Sequence, residues 1–126
     1  MFGFAPEFRF ELPHIGARGA FLRRGDLRVE LFAYPNSAPT PPERRRPDTD
    51  LAVQGRKHLG FAVGDLPAAL ERLHFAGVEI AGMRRRNGPM REEADPRLDK
   101  AAPMAVFVRS PEGALIEILA LGDFAP

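Results

Sequence analysis

The sequence contains no cysteine and no tryptophan, and it has no large excess of charge of either sign. Without cysteine, disulfides, thiolate nucleophiles, zinc ribbons and iron–sulfur clusters are excluded. The 18 Lys and Arg residues against 17 Asp and Glu leave a net charge of +1, so no overall basic field favours nucleic acid. No run approaches the roughly 18 apolar residues of a membrane helix, and no secretory signal pattern is present. We therefore expect a cytoplasmic protein that binds neither nucleic acid nor a membrane.

The hydrophobic content is sufficient for one domain. Hydrophobic residues make up 44% of the 126 residues, which excludes global disorder and suits a single packed core. Near the amino terminus, apolar and polar residues alternate over 8–12, and two further strand candidates occupy 19–24 and 27–34. The short polar break at Gly25 and Asp26 between these two candidates predicts an antiparallel hairpin.

A proline-rich segment separates the two halves of the chain. Residues 35–50 hold five of the 13 prolines and few large apolar groups. Because proline fixes φ and removes a hydrogen-bond donor, this composition predicts a linker, taken as 36–56, that adds nothing to the core.

The second half begins with a strand followed by the strongest helix signal in the sequence. Residues 57–63 form a short apolar run that predicts a strand. The helix predicted over 66–76 has Asp65 as its N-cap and Gly77 as its left-handed end. The helix has one apolar stripe, formed by Leu66, Ala69, Leu70 and Leu73.

Three further segments follow the helix. Residues 78–82 predict a strand, and the charged stretch 83–103 predicts an irregular loop. The chain then forms a final hairpin over 104–121, with its turn at 111–113.

The final hairpin resembles the first one. Arg23 precedes Glu30 by seven positions and Arg109 precedes Glu117 by eight, with a glycine-containing turn in each hairpin. The pattern indicates an internal repeat, although two amphipathic hairpins can also agree by chance. Glu117 shares its strand face with two leucines, so its carboxylate needs a partner, either a metal cation or an arginine.

His58 is the histidine best placed to join these acids. It shares a strand face with Gly60 and Ala62, whose small size leaves space around the imidazole. A lone strand histidine is often a hydrogen-bonded structural residue. Together with Glu30 and Glu117, however, it supplies the imidazole nitrogen and carboxylate oxygens that a divalent first-row ion accepts.

Two segments carry a family resemblance. KHLGFAVGDLPAALERLHFAGVEI (57–80) and AVFVRSPEGALIEILAL (105–121) together resemble the second βαβββ module of the vicinal-oxygen-chelate superfamily. That superfamily includes glyoxalase I, methylmalonyl-CoA epimerase, extradiol dioxygenases and bleomycin-resistance proteins. RRGDLRVELFAYP (23–35) resembles the end of the first module.

The resemblance implies a fold, a cofactor and a ligand set. The fold is α+β, with paired βαβββ modules that form a curved, barrel-like mixed sheet. The cofactor is a divalent metal ion (Zn, Ni, Co, Mn or Fe), and its implied ligands are Glu30, His58 and Glu117.

By the same resemblance, the first module is expected to be without its opening strand and helix. Roughly 25 residues, which in the superfamily include a further histidine, have no counterpart before the MFGFAPEF segment. A misassigned start, loss of the segment and completion of the sheet by a partner chain are the three explanations. An uncovered sheet edge favours pairing and hence a homodimer. The single domain 1–126 divides into a first-module remnant (1–35), the linker (36–56) and the second module (57–122).

The resemblance also implies a reaction. The protein is expected to be a metal-dependent, glyoxalase-like lyase or isomerase that chelates the neighbouring oxygens of a small carbonyl or acyl-thioester substrate. Glu117 is the first candidate for the catalytic base and Glu30 the second. The residues assigned to substrate binding lie on the hairpin strands: Arg23, Arg28, Phe32 and Arg109. The alternatives are a metal-free protein that binds an antibiotic or another small molecule, and a degenerate structural subunit.

Overall fold

The computed structural model describes residues 2–85, 88–92 and 103–124. The chain divides into two compact units, Met1–Ala38 and Pro39–Pro126, called here the N-terminal unit and the C-terminal unit. In chain order the strands and helices are β1 (Ala5–Leu12), β2 (Ala17–Arg24), β3 (Leu27–Ala33), α1 (Pro47–Asp50), β4 (Leu59–Val63), α2 (Leu66–Phe75), β5 (Ile80–Arg84), β6 (Met90–Glu92), β7 (Ala105–Arg109) and β8 (Leu115–Ala120). Short 3-10 turns occupy Pro13–Ile15, Pro42–Arg44 and Leu121–Phe124.

The expected α+β class is confirmed. The described strands pair into a three-stranded sheet of order β1-β2-β3 and a five-stranded sheet of order β4-β8-β7-β5-β6. As far as these strands are described, no ladder closes either sheet into a barrel. Of the helices that the structure describes, none has the length and apolar character needed to cross a membrane.

The N-terminal unit is an antiparallel meander. The predicted hairpin is confirmed, because Arg24 pairs with Leu27 across the two-residue turn, in which Gly25 has a φ of +57°. On one face of the sheet the Phe10 ring lies directly over Gly19, where an added Cβ would come within 2.1 Å of the ring. Glycine at this position therefore allows the aromatic side chain to lie flat against the strand.

The C-terminal unit contains the elements of one βαβββ module (β4, α2, β5, β7 and β8) and one additional short strand, β6. β4 runs parallel to β8, and α2 connects β4 to β5, which pairs with β7. Two parallel strands need a crossover connection. Here α2 begins the connection that leaves β4, and the strands after α2 pair antiparallel with one another. The prediction of an irregular loop over 83–103 is wrong in part: residues 90–92 form β6, which pairs with β5 at the sheet edge. Residues 86–87 and 93–102 of that stretch lie outside the described residues.

The buried apolar residues of the C-terminal unit form two groups. The predicted stripe of α2 is buried, and Leu73 within it has no exposed surface. Val106 and Ile118 pair across β7 and β8, are fully buried and share the sheet face opposite Glu117. A second cluster, Ala81, Ala105, Phe107, Leu115 and Leu119, packs with Met90.

Asp65 begins α2 as predicted. Its side-chain Oδ1 accepts a hydrogen bond from the backbone N–H of Ala68 at 2.9 Å, and Gly77 beyond the helix has a φ of +67°. We expect Asp65→Ala to lower the free energy of unfolding by about 1 kcal/mol, because one backbone donor of the first turn loses its acceptor. Urea unfolding followed by circular dichroism measures the loss. Glu71→Ala, at an exposed position of the same helix, is the control, and an equal loss there would contradict the capping role.

The proline-rich segment contributes to the interior, contrary to prediction. Pro47 and Asp50, at the two ends of α1, are both buried, and Asp50 is only 2% exposed. A carboxylate this deeply buried needs several polar partners, because its desolvation is otherwise very unfavourable. The segment supplies one of those partners, Arg44, and the other is His58, the residue that precedes β4.

Candidate functional site

A histidine and a glutamate meet on the inner face of the C-terminal sheet, the face that carries Glu117. His58 lies one residue before β4, and Glu117 lies in the middle of β8, opposite Gly60 in the parallel ladder. His58 Nε2 is 3.4 Å from Glu117 Oε2, and the two side chains are 13% and 15% exposed. The parallel pairing of the two strands thus brings together two of the three predicted metal ligands.

An aromatic ring and a glycine lie next to this pair. Phe107 lies opposite Glu117 on β7, and its ring meets the His58 imidazole edge to face, with centroids 5.1 Å apart. A Cβ on Gly60 would lie 3.8 Å from Glu117 Oε2, an ordinary contact distance. Glycine therefore leaves the carboxylate oxygen uncovered on this side, as the small neighbours of His58 predict.

The other imidazole nitrogen contacts Asp50. His58 Nδ1 lies 3.1 Å from Asp50 Oδ2, and Arg44 Nη1 lies 3.3 Å from Asp50 Oδ1. Both carboxylate oxygens of this buried acid thus have a nitrogen partner. Sequence reasoning missed Asp50 because the segment's composition indicates only a linker. The available local signal was Pro47 followed by acidic residues, which is typical of a first helical turn.

Arg44 is held in turn by the loop that leads to His58. Its Nη2 donates to the carbonyl of Gln54 at 2.8 Å, and its Nη1 also donates to the carbonyl of Arg56. Lys57 Nζ donates to the backbone carbonyl of Asp50 at 2.9 Å. These contacts fix the loop between α1 and β4 and therefore the approach of the chain to His58.

Glu30, the third predicted ligand, belongs to the N-terminal unit. It is an exposed residue of β3 and lies opposite Phe21 on β2. Glu117 likewise lies opposite Phe107, so the two hairpins place an acid and a phenylalanine in the same relation. Within the described residues of the C-terminal unit, no third acid or histidine joins His58 and Glu117 in a metal-binding group. The ligand role of Glu30 stays a prediction.

Two of the predicted substrate-binding arginines contact Glu7 in the N-terminal unit. Arg28 binds it with two hydrogen bonds, Nε to Oε2 at 2.7 Å and Nη2 to Oε1 at 2.9 Å. The hydrogen bonds from Arg28 lower the pKa of Glu7. Arg23 Nη1 is 3.7 Å from Glu7 Oε1, and its Nε donates to the Gly25 carbonyl at 2.7 Å. Their substrate role stays a prediction.

Arg109, the third of these arginines, has its partners in the C-terminal unit. It forms an ion pair with Glu79, and its Nε donates to the Arg45 carbonyl at 3.0 Å. Arg109 therefore connects the β7–β8 hairpin to the proline-rich segment. Its substrate role also stays a prediction.

Phe32 is part of an aromatic group on the N-terminal sheet. Its ring meets Phe10 edge to face at 5.9 Å, and Phe10 lies 5.8 Å from Phe21. Phe8 completes the group at 4.9 Å from Phe21. Phe8 and Phe32 are 51% and 59% exposed, so this face is available for contact with an apolar group.

Comparison with known proteins agrees with the βαβββ topology. The family described as Glyoxalase/Bleomycin resistance protein/Dioxygenase superfamily matches residues 1–118. The protein YwkD of Bacillus subtilis (strain 168), described as uncharacterized, is 39% identical over 61 residues. That match covers 48% of this chain and 41% of YwkD, so the chain matches less than half the length of this relative.

Two solved structures are similar in fold. A glyoxalase family protein from Enterococcus faecalis matches with a TM-score of 0.66 and 19% identity, over 93% of this chain and 78% of that one. The trypanothione-dependent glyoxalase I of Leishmania major matches with a TM-score of 0.62 and 17% identity, over 96% of this chain and 71% of that one. At these identities the likeness concerns the fold.

Proposed function

Because the chain belongs to the Glyoxalase/Bleomycin resistance protein/Dioxygenase superfamily, we propose that it is a metal-dependent, glyoxalase-like lyase or isomerase. Its substrate is a small carbonyl compound or acyl thioester with oxygens on neighbouring atoms. The observation that carries the proposal is the approach of His58 Nε2 to Glu117 Oε2, 3.4 Å apart on the inner face of the sheet.

The chemistry of these two side chains fits a divalent first-row ion. Imidazole nitrogen and carboxylate oxygen are ordinary ligands of Zn, Ni, Co, Mn and Fe. Two ligand atoms bound to one zinc ion at about 2.1 Å lie roughly 3 to 3.5 Å apart. The observed 3.4 Å separation of His58 Nε2 and Glu117 Oε2 falls in that range. Glu30 is the proposed third ligand, since it holds the position in the first hairpin that Glu117 holds in the second.

The residues have distinct roles in the proposed reaction. A bound ion supplies a positive charge that stabilises the oxyanion developing on the substrate. Glu117 takes a proton from one substrate carbon and returns it to the neighbouring atom, with Glu30 as the second candidate for this base. Leu115 and Leu119 flank Glu117 and are buried, which limits the access of water to its carboxylate from those sides. Gly60 has no side chain to cover the Glu117 carboxylate.

The alternative function is metal-free binding of a small molecule. It is favoured by the aromatic group on the N-terminal sheet, where four phenylalanine rings share one face. Exposed aromatic rings suit a flat apolar ligand such as an antibiotic. This function needs no ion at His58 and Glu117, so the two functions differ in their response to metal.

Assembly as a homodimer is proposed together with either function. β3 is an edge strand of the N-terminal sheet, and Leu27 and Leu31 on it are 66% and 50% exposed. Exposed apolar strand edges tend to pair with another chain.

A metal titration tests the proposed function. We expect Zn, Ni, Co or Mn at a hundredfold excess over the dissociation constant to stabilise the folded protein by about 2.7 kcal/mol. For a chain of this size that energy raises the melting temperature by roughly 10 °C. Chelator-treated protein is the reference. If none of these ions changes the melting temperature, the metal-dependent function is wrong and the binding function takes its place.

A further inference from the structure

We propose that Asp50 is a positioning residue that fixes the orientation and the tautomer of His58. Asp50 Oδ2 lies 3.1 Å from His58 Nδ1, and the Asp50 side chain is 3% exposed. The acid reaches the imidazole from α1, in the segment predicted to be a linker. It lies on the far side of the ring from Glu117.

The donor and acceptor chemistry of this contact determines the tautomer. An ionised carboxylate only accepts hydrogen bonds, and a neutral imidazole donates from one nitrogen only. Neutral His58 has one N–H for two carboxylates, and we assign it to Nδ1 because Asp50 Oδ2 is the closer acceptor, at 3.1 Å against 3.4 Å for Glu117 Oε2. Its Nε2 is then left with a lone pair, directed to the side where Glu117 lies.

Arg44 keeps the carboxylate in this orientation. Its Nη1 lies 3.3 Å from Asp50 Oδ1, so the carboxylate oxygen that faces away from His58 is also occupied. Arg44 donates as well to the carbonyls of Gln54 and Arg56, which limits its own movement. Because a guanidinium only donates, Arg44 requires an acceptor atom at the Oδ1 position of residue 50.

The consequence for metal binding rests on the proposed function. A metal ion binds the unprotonated imidazole nitrogen, and a carboxylate on the other nitrogen orients the ring and increases its basicity. Asp50 thus prepares His58 Nε2 for an ion without contacting that ion. The tautomer itself does not depend on whether a metal binds.

Nitrogen-15 NMR of the metal-free protein tests the tautomer directly. Long-range proton–nitrogen spectra show which ring nitrogen carries the proton, and His58→Gln assigns the signals among the three histidines. The spectra are recorded where the ring shifts no longer change with rising pH, so that the imidazole is neutral. We expect His58 to carry its proton on Nδ1. A proton on Nε2 in the unsubstituted protein would overturn the proposal.

Asp50→Asn provides a sharper test because it reverses which side chain donates the hydrogen bond between residue 50 and His58. Arg44 needs an acceptor, so the Asn oxygen faces Arg44 and the Asn amide nitrogen faces His58. His58 Nδ1 must then accept, and the proton moves to Nε2. Asp48→Asn, in the same short helix but exposed, leaves the Nδ1–H tautomer unchanged. An Nδ1–H signal that persists in Asp50→Asn would contradict the proposal.

A double variant tests the role given to Arg44. In Asp50→Asn with Arg44→Met the Asn side chain is free to turn its oxygen to His58, so we expect the Nδ1–H tautomer to return in at least part of the protein. A double variant that folds and keeps the proton on Nε2 would remove Arg44 from the proposal. If either variant does not fold, as judged by circular dichroism, the spectrum of the unsubstituted protein still decides the tautomer.

Zinc titration separates this proposal from the proposed function. We expect Asp50→Asn to weaken zinc binding by roughly 10- to 100-fold, the usual effect of losing an outer partner of a ligand. Unchanged zinc affinity with a reversed tautomer would contradict the link between Asp50 and metal binding. Absence of zinc binding in the unsubstituted protein would contradict the proposed function, while the NMR result would still confirm or overturn the positioning of His58.

Discussion

Glu117→Gln is expected to weaken metal binding by more than 100-fold and to abolish the rise in melting temperature on adding metal. Glutamine keeps the size and shape of the side chain but removes the negative charge that balances a divalent cation. Loss of an outer partner weakens metal binding by about 10- to 100-fold, and loss of a ligand should exceed that range. Glu117 is also the first candidate for the base, so turnover should fall with metal affinity.

The matched control for this variant is Glu71→Gln. Glu71 is exposed on α2, so the substitution makes the same chemical change away from the inner face of the sheet. Isothermal titration with zinc compares the two variants with the unsubstituted protein. Equal affinity in all three proteins would remove Glu117 from the ligand set. Glu30→Gln, measured in the same way, tests the third ligand, and we expect its affinity to fall as well.

Local signals explain why most elements were predictable. The hairpin at Gly25 and Asp26 and the cap at Asp65 depend on residues close in sequence, and both form as predicted. The buried stripe of α2 follows from helical spacing alone. The βαβββ order needs more than local signals, because β4 pairs with β8 across most of the C-terminal unit. For that order the family resemblance supplied what periodicity did not.

Contacts between distant residues explain what the sequence did not reveal. In the sequence, Asp50 is one of several polar residues of a proline-rich segment. It gains a partly buried partner only because the chain passes it again at His58, eight residues later. In the same way, the sequence predicts that Arg28 binds substrate, whereas its partner in the structure is Glu7, 21 residues away on β1. Three-residue β6 has too few positions to show an alternating pattern. Such a short segment forms a strand because the edge of β5 offers it backbone hydrogen-bonding partners.

The two hairpins show why one half of a repeat can be informative about the other. Glu30 and Glu117 each lie opposite a phenylalanine on the neighbouring strand, Phe21 and Phe107 respectively. The C-terminal copy belongs to a unit that also contains α2, and His58 lies beside its acid, Glu117. In the N-terminal copy, Glu30 is exposed, and the two arginines of the hairpin, Arg23 and Arg28, pair with Glu7. The proposed ligand role of Glu30 therefore depends on the repeat, whereas that of Glu117 is also supported by its approach to His58.

Leu73→Ala is expected to lower the free energy of unfolding by about 2 to 5 kcal/mol, the largest stability effect among these predictions. Leu73 has no exposed surface and is the last residue of the buried stripe of α2, so its truncation leaves a cavity in the core. Urea unfolding followed by circular dichroism measures the loss. Phe75→Ala is the control, because Phe75 on the same helix is 85% exposed and its removal should change stability little.

Leu73→Ala also tests whether the metal site depends on the packing of α2. We expect the buried stripe of α2 to pack on the sheet face opposite Glu117, where Val106 and Ile118 are fully buried, so a cavity at Leu73 should not alter the approach of His58 Nε2 to Glu117 Oε2. The stabilisation by a bound ligand depends only on its concentration and dissociation constant in the folded state. We therefore expect metal to stabilise Leu73→Ala by the same free energy as the unsubstituted protein, although its melting temperature is lower. A metal-induced stabilisation that disappears in Leu73→Ala would show that the packing of α2 is needed to hold His58 and Glu117 together.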